Sequence, residues 1–261
     1  MASELHIEEP PGGWGHPWPQ ARELARLAPE GWVLVGGLMV TLHARIAGIE
    51  SRATVDVDAL LDVSVLSVPG VDQLLRGLGY EVRESIDAAA PVHRWVRAAD
   101  EAVVDVLVED RLPRAPRFRR RPTVAAPGGT SVLRRHLTRV VVHGDEDVHL
   151  WLPTVSGAIV LKARAHAVES RDKTRHLDDL ATLFECPTDY RPVIAELSDS
   201  DRKHVRAALP ALHDHLARNA STTDRVRLLL PSIATELRLE PPLGAGTTSP
   251  FSRTERGRRG K

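Results

Sequence analysis

The sequence predicts an α+β fold: an N-terminal mixed β-sheet with flanking helices, followed by a C-terminal helical bundle. Two observations carry that prediction. Up to residue 152, short β-branched apolar runs alternate with segments of helical spacing, and from Pro153 onward the spacing is helical alone.

Residues 1–20 are rich in Pro and Gly and include Trp14 and Trp18, so they read as a flexible arm or as a strap that packs its tryptophans on the body. Residues 21–28 have helical spacing. Residues 32–35 form a short buried strand. A helix over 38–47 begins at Gly36 and Gly37 and is closed by Gly48. A second strand spans 54–62, and a short amphipathic helix ended by glycine spans 69–79. Strands follow at 80–83, 92–98 and 102–108, the last β-branched and apolar apart from Asp105. Residues 111–128 read as a Pro- and Arg-rich linker, 130–136 as a short helix, and 139–143 with 148–152 as a hairpin around Gly144-Asp145. Helices are expected over 155–170, 175–185, 199–218 and 222–238. The organisation is then a flexible arm (1–20), an α/β domain (21–152), a helical domain (153–240) and a disordered basic tail (241–261) with Arg256, Arg258, Arg259 and Lys261.

The chain has 261 residues, enough for one large domain or two modest ones. Its formal net charge is zero, so any attraction to nucleic acid or membrane must come from local charge. The single cysteine, Cys186, rules out an intrachain disulfide and a thiolate metal cage, and fits a reducing compartment. No apolar run approaches the roughly 18 residues a membrane span needs, and the N-terminus lacks the basic-then-apolar pattern of a signal peptide. A cytoplasmic protein is expected.

Chemistry concentrates at four places. Val33-Leu34-Val35 runs into Gly36-Gly37, a strand-to-helix turn that lets backbone approach a phosphate at a helix N-terminus; a plain tight turn is the alternative. Asp56 and Asp58 lie one residue apart on a strand, so their carboxylates share a face, between apolar Val55, Val57, Leu60 and Leu61. Like charges held that close repel unless a cation lies between them, and carboxylates suit Mg²⁺. Asp105 joins them if its strand lies beside the first, and three acids at one place would hold two metals about 4 Å apart; otherwise it is a buried acid satisfied locally. Lys162 lies in an apolar helix and needs an anion or must snorkel to solvent. The fourth place is basic. Arg111, Arg114, Arg117, Arg119, Arg120, Arg121, Arg134, Arg135 and Arg139 occur without an intervening acid, as a platform for RNA or a nucleotide acceptor or as a solvated linker. His43, His166 and His176 lack the spacing of a zinc site. Asp178 and Asp179 sit among leucines, and one of them is expected to turn inward toward Arg171 or Lys173.

The glycine pair, the helix, Arg52-x-Thr54-x-Asp56-x-Asp58 and the later strand aspartate together resemble the nucleotidyltransferase superfold with its DNA polymerase β-like palm. More specifically they resemble the minimal bacterial nucleotidyltransferases of the AbiEii/MenT toxin type. Pro127-Gly128-Gly129-Thr130 before a helix, Leu161-Lys162-Ala163, and Arg171-Asp172-Lys173 leading to His176-Leu177-x-Asp179-Leu180 are similar to that group as well. The likeness covers residues 30–185. It implies a magnesium- or manganese-dependent enzyme that moves a nucleoside monophosphate from an NTP to a hydroxyl on tRNA or protein, in a toxin–antitoxin setting with an antitoxin partner. It implies Asp56, Asp58 and Asp105 as metal ligands, with Asp105 assisting the incoming hydroxyl. Gly36, Gly37, Arg52, Thr54 and Lys173 would contact the nucleotide, Lys162 would reach the triphosphate or leaving pyrophosphate, and Asp179 would orient the helical half. The chain departs from the pattern in two places: Gly37 stands where Ser is usual, and Lys173-Thr174 replaces an adjacent Lys-Asp. Two rival readings follow, a non-catalytic module of the same fold that binds a nucleotide or partner, and a small-molecule (antibiotic-type) nucleotidyltransferase.

Overall fold

A computed structural model of the chain describes residues 4–87, 89–170, 172–219 and 224–238. The tail over 241–261 and Arg171 lie outside the described residues. The first half runs β1 (Leu5–Glu8), α1 (Trp18–Leu27), β2 (Trp32–Val35), α2 (Gly36–Ala47), β3 (Asp56–Leu61), α3 (Val68–Gly77), β4 (Tyr80–Val82), β5 (Arg94–Arg97) and β6 (Ala102–Glu109). It continues through β7 (Arg117–Phe118), β8 (Arg121–Pro122), β9 (Val124–Ala126), α4 (Gly129–Arg135), β10 (Leu137–His143) and β11 (Val148–Pro153). Helices alone follow: α5 (Val155–Val168), α6 (Lys173–Glu185), α7 (Arg191–Ala195), α8 (Asp199–Arg218) and α9 (Asp224–Glu236). The fold is therefore mixed α+β. Among the described residues no helix is long and apolar enough to cross a membrane.

The larger sheet has the order β2-β3-β6-β5-β4, with β9 also paired to β6. β2 is antiparallel to β3, β3 is parallel to β6, and β5 is antiparallel to β6. β6 is thus the central strand, paired to β3 along one edge and to β5 and then β9 along the other. Its burial fits that place: Val104, Val106 and Val108 are buried in alternation. The smaller sheet has the order β1-β10-β11.

Two expectations are corrected here. Residues 4–20 are not a flexible arm. β1 pairs in parallel with β10, Trp14 and Trp18 are buried edge to face against each other, and Arg45 lies over the Trp14 ring. The strap reading is the one the structure bears out. Residues 111–128 are not a linker either, because β9 joins the main sheet and β7 with β8 forms a small hairpin ahead of it.

The division at residue 153 does not separate two cores. One hydrophobic cluster runs from Trp14 to Leu237. Helix α5 explains this: its residues from Ser156 to Arg164 are all buried, so no side of that stretch is left for solvent. Thr154 caps it by accepting from the Gly157 N–H, and Ser198 caps α8 in the same way through the Asp201 N–H. A buried ion pair, Arg164 with Asp201 at 2.9 Å, ties α5 to α8, and Ser131 of α4 donates to the same carboxylate.

Candidate functional site

Strand register assembles the acidic centre. In the β3–β6 ladder Asp58 lies opposite Asp105, and in the β5–β6 ladder Arg94 lies opposite the same residue. Asp56 precedes Asp58 by two positions and so shares its face. Asp105 is buried, whereas Asp56 and Asp58 are partly open to a cleft. Both oxygens of Asp105 accept from Arg94, Oδ1 from Nε at 2.8 Å and Oδ2 from Nη2 at 2.6 Å. The same Nη2 stands 3.7 Å from Asp56. Arg94 was not among the residues singled out in the sequence, since only the register of β5 on β6 reveals its place.

Asp58 is the electrostatic focus. Desolvation by the surrounding protein, then repulsion from Asp56 and Asp105, pushes its carboxyl up to about 7, against a smaller opposing pull from Lys162 and Arg175. Among the described residues its carboxylate has no hydrogen-bond partner. Thr54 donates its hydroxyl to Asp56 at 3.1 Å.

The glycine turn packs directly on these acids. Gly36 has φ +70°, and a Cβ there would fall 1.7 Å from Asp58 Oδ2. Glycine is therefore required twice over, by backbone conformation and by the space the carboxylate fills. At Gly37 a Cβ would come within 2.6 Å of Thr54 Oγ1 and 3.3 Å of an Arg52 nitrogen. The place where a serine side chain would begin is taken by Thr54, which accounts physically for the glycine.

Behind the turn, Asp179 of α6 is almost fully enclosed, accepts two charged hydrogen bonds and joins a buried ion pair. Arg52 donates from Nε at 2.8 Å and from Nη2 at 3.1 Å, and the Lys162 ammonium pairs with Oδ2 at 2.7 Å. Asp179 thus turns inward to Arg52 and Lys162, while Asp178 receives His215 at 2.6 Å and Lys173 is exposed. This triad fastens the loop before β3 to both α5 and α6.

A cleft of about 510 Å³ opens over this ground, lined by Gly36, Gly37, Arg52, Thr54, Asp56, Asp58, Arg94, Asp105 and Lys162 among others. Of the expected nucleotide contacts, Lys173 is the exception: it is exposed at the start of α6 and does not line the cleft. Arg175 and His176 line it instead, because the first turn of α6 aims those positions inward. Burial, with Lys162 and Arg175 nearby, lowers His176 to about 4, so it is a neutral imidazole near pH 7. His43, by contrast, is a core residue: its Nε2 donates to the Pro153 carbonyl at 2.9 Å and burial lowers it to about 4.

The basic segment is partly neutralised. Arg119 and Arg121 face Glu84, and Arg139 faces Glu4. Arg111, Arg114, Arg120, Arg134 and Arg135 are exposed.

Among the described residues no three His, Cys, Asp or Glu side chains form a metal-holding group. Of the expected three acids, Asp105 has both oxygens engaged by Arg94. Asp56 and Asp58 still form a two-carboxylate donor set, which suits Mg²⁺, an ion that commonly uses one or two carboxylates and completes its octahedron with phosphate and water. Comparison of the chain with protein-family models, with curated proteins and with solved structures finds no match.

Proposed function

We propose that the chain is a nucleotidyltransferase of the polymerase β-like superfold, similar to the AbiEii/MenT toxins, transferring a nucleoside monophosphate from an NTP to a hydroxyl acceptor. One observation carries the reading: Asp56, Asp58 and Asp105 converge on adjacent strands directly under the Gly36–Gly37 turn, in a cleft that also holds Lys162 and Arg175. An anion-friendly helix N-terminus, cations and a carboxylate pair in one cleft suit a metal–triphosphate.

Asp56 and Asp58 would hold Mg²⁺ or Mn²⁺, and Asp58, unpartnered and pushed up toward neutrality, has the most to gain from a cation. When bound, the metal supplies charge neutralisation at the triphosphate. The chain's own groups do the rest. The backbone at Gly36 and Gly37 admits the phosphates, and Lys162 and Arg175 supply positive charge on the facing side. The acceptor oxygen forms a bond to the α-phosphorus, the α–β anhydride bond breaks, and pyrophosphate departs with its electron pair. The acceptor's proton goes to Asp105 once Arg94 releases that carboxylate. Arg94 is then free to turn to the phosphates. Catalysis of this kind is mostly positioning and electrostatics. The exposed arginines at 114, 120, 134 and 135 offer charge for a tRNA or protein acceptor, and an antitoxin is the expected partner.

The Arg94–Asp105 pair also favours a second reading, a nucleotide-binding module without turnover, in which Arg94 permanently stands in for a cation. Labelled NTP, Mg²⁺ and a tRNA mixture decide between them. Transfer of label by the wild type and none by Asp56→Ala/Asp58→Ala supports transfer; NTP binding by calorimetry without pyrophosphate release supports the module. Equal labelling by wild type and variant would sink both roles for the acidic pair.

A further inference from the structure

Two histidines that are 137 residues apart in the chain meet on the exposed face of the β1-β10-β11 sheet. His6 Nδ1 lies 3.0 Å from His143 Nε2, and the ring planes differ by only 6°. On its other side, His143 Nδ1 lies 3.1 Å from a carboxylate oxygen of Asp147. An ionised carboxylate only accepts, so Asp147 fixes the proton of His143 on Nδ1 and leaves Nε2 as a bare lone pair. His6 supplies the proton that the two rings share. Strand register places Glu8 directly across from His143, and Glu8 is exposed.

We propose that His6 and His143 form a binding site for a borderline divalent transition-metal ion, Zn²⁺ foremost, which takes the place of the shared proton. Imidazole nitrogen is a ligand for Zn²⁺, Cu²⁺ and Ni²⁺ and a poor one for Mg²⁺, so this site and the Asp56–Asp58 pair select different ions. A carboxylate that orients the far nitrogen of a ligating histidine is the recurrent outer partner of such sites, and Asp147 already occupies that position. Two nitrogens on a tetrahedral zinc stand roughly 3.3 Å apart, from Zn–N lengths of about 2.0–2.1 Å. The observed 3.0 Å needs only a small opening, and both rings are solvent-accessible side chains able to turn. On binding, the His6 proton moves from Nδ1 to Nε2 through solvent and the Nδ1 lone pair goes to the metal. Water fills the remaining positions.

The site would act as a clip. β1 is an edge strand of four residues, joined to the sheet through β10 alone. A metal bridging His6 and His143 ties that strand to a segment far along the chain, and a link across a long loop removes the most freedom from the unfolded state. Metal bound to the folded form alone also stabilises it by mass action.

The test is a titration of the full chain with Zn²⁺, and with Co²⁺ as a spectroscopic stand-in, in excess Mg²⁺ to fill carboxylate sites. The wild type is expected to take up one equivalent with a raised urea midpoint. His6→Ala and His143→Ala should each lose that equivalent and the shift. Asp147→Asn should weaken binding by about 10- to 100-fold, and His213→Ala, an exposed histidine on α8, should change neither. Far-UV circular dichroism checks that each variant is folded, and His6→Asn with His143→Asn gives a second, less disruptive pair. Retention of the equivalent by folded His6→Ala or His143→Ala, or an equal loss in His213→Ala, would overturn the proposal.

Discussion

The Arg52–Asp179–Lys162 triad makes an unusual forecast: removing a second charge should rescue the loss of the first. The side chains of Asp179 and Lys162 are 1% and 6% exposed, so neither ion is solvated by water. Asp179→Asn keeps the shape but strips the counter-charge from Lys162, and breaking one side of a buried pair costs about 3–5 kcal/mol. Lys162→Met leaves Asp179 with both bonds from Arg52 and places an apolar chain in an apolar helix. Its cost should be below about 2 kcal/mol, the scale of one lost contact to a charged group that keeps its other partner. In Asp179→Asn/Lys162→Met no unpaired buried ammonium remains, so the double variant should be more stable than Asp179→Asn alone by about 1–3 kcal/mol. Urea unfolding followed by circular dichroism, with unchanged m, reads these differences as shifts in midpoint. A double variant no more stable than Asp179→Asn would refute the claim that the uncompensated lysine is what destabilises.

Two further outcomes are open to direct measurement. Gly36 and Gly48 both have φ +70°, but a Cβ at Gly36 would strike Asp58 and one at Gly48 would meet nothing within 4 Å; both alanine variants lose about 1–2 kcal/mol to the left-handed backbone, and only Gly36→Ala adds about 1–3 kcal/mol of overpacking, so equal urea midpoints for the two would remove the steric argument. His43 is lowered from 6.5 to about 4, so between those values the unfolded chain takes up a proton that the folded chain refuses. Its contribution is present in full above pH 6.5 and is lost as pH falls toward 4, by about 2–3 kcal/mol; His43→Gln, which retains an N–H for the Pro153 carbonyl, should flatten that loss, and parallel pH profiles for the two proteins would contradict it.

What was legible in the sequence was whatever lies close along the chain. The buried Trp32–Val35 strand, the helix opening at Gly36 and closing at Gly48, and the shared face of Asp56 and Asp58 each follow from local periodicity and glycine conformation. Pairings between distant segments were not legible. Arg94 reads as one more basic residue of a short strand until its ladder with β6 sets it against Asp105. Sequence spacing points an inward Asp178 or Asp179 toward cations near it in the chain, whereas Asp179 meets Arg52 and Lys162 through the packing of α5 and α6 onto the loop before β3. Leu5 and Ile7 alternate with His6 and Glu8, a strand signal only four residues long, and the prolines and glycines after it dominated the composition of the segment. Histidines judged by spacing within one helix gave no hint of a pair formed between β1 and β10.

The charge balance of the cleft links these points. Three carboxylates converge, and among the described residues only Asp105 receives a full counter-ion, from Arg94. Asp56 has a distant share of the same guanidinium and a hydroxyl from Thr54, and Asp58 has neither. Lys162 acts on Asp58 only through space, its ion pair being formed with Asp179. The acidic centre is therefore left short of positive charge at one definite place, beside the glycine turn, while the cations that would receive an anion are arranged around it. A ligand that brings a cation and an anion together satisfies both sides at once, and an anion or a cation alone would satisfy only one. On that argument metal and triphosphate should each bind weakly alone and tightly together, with Asp58 as the residue through which the two are coupled.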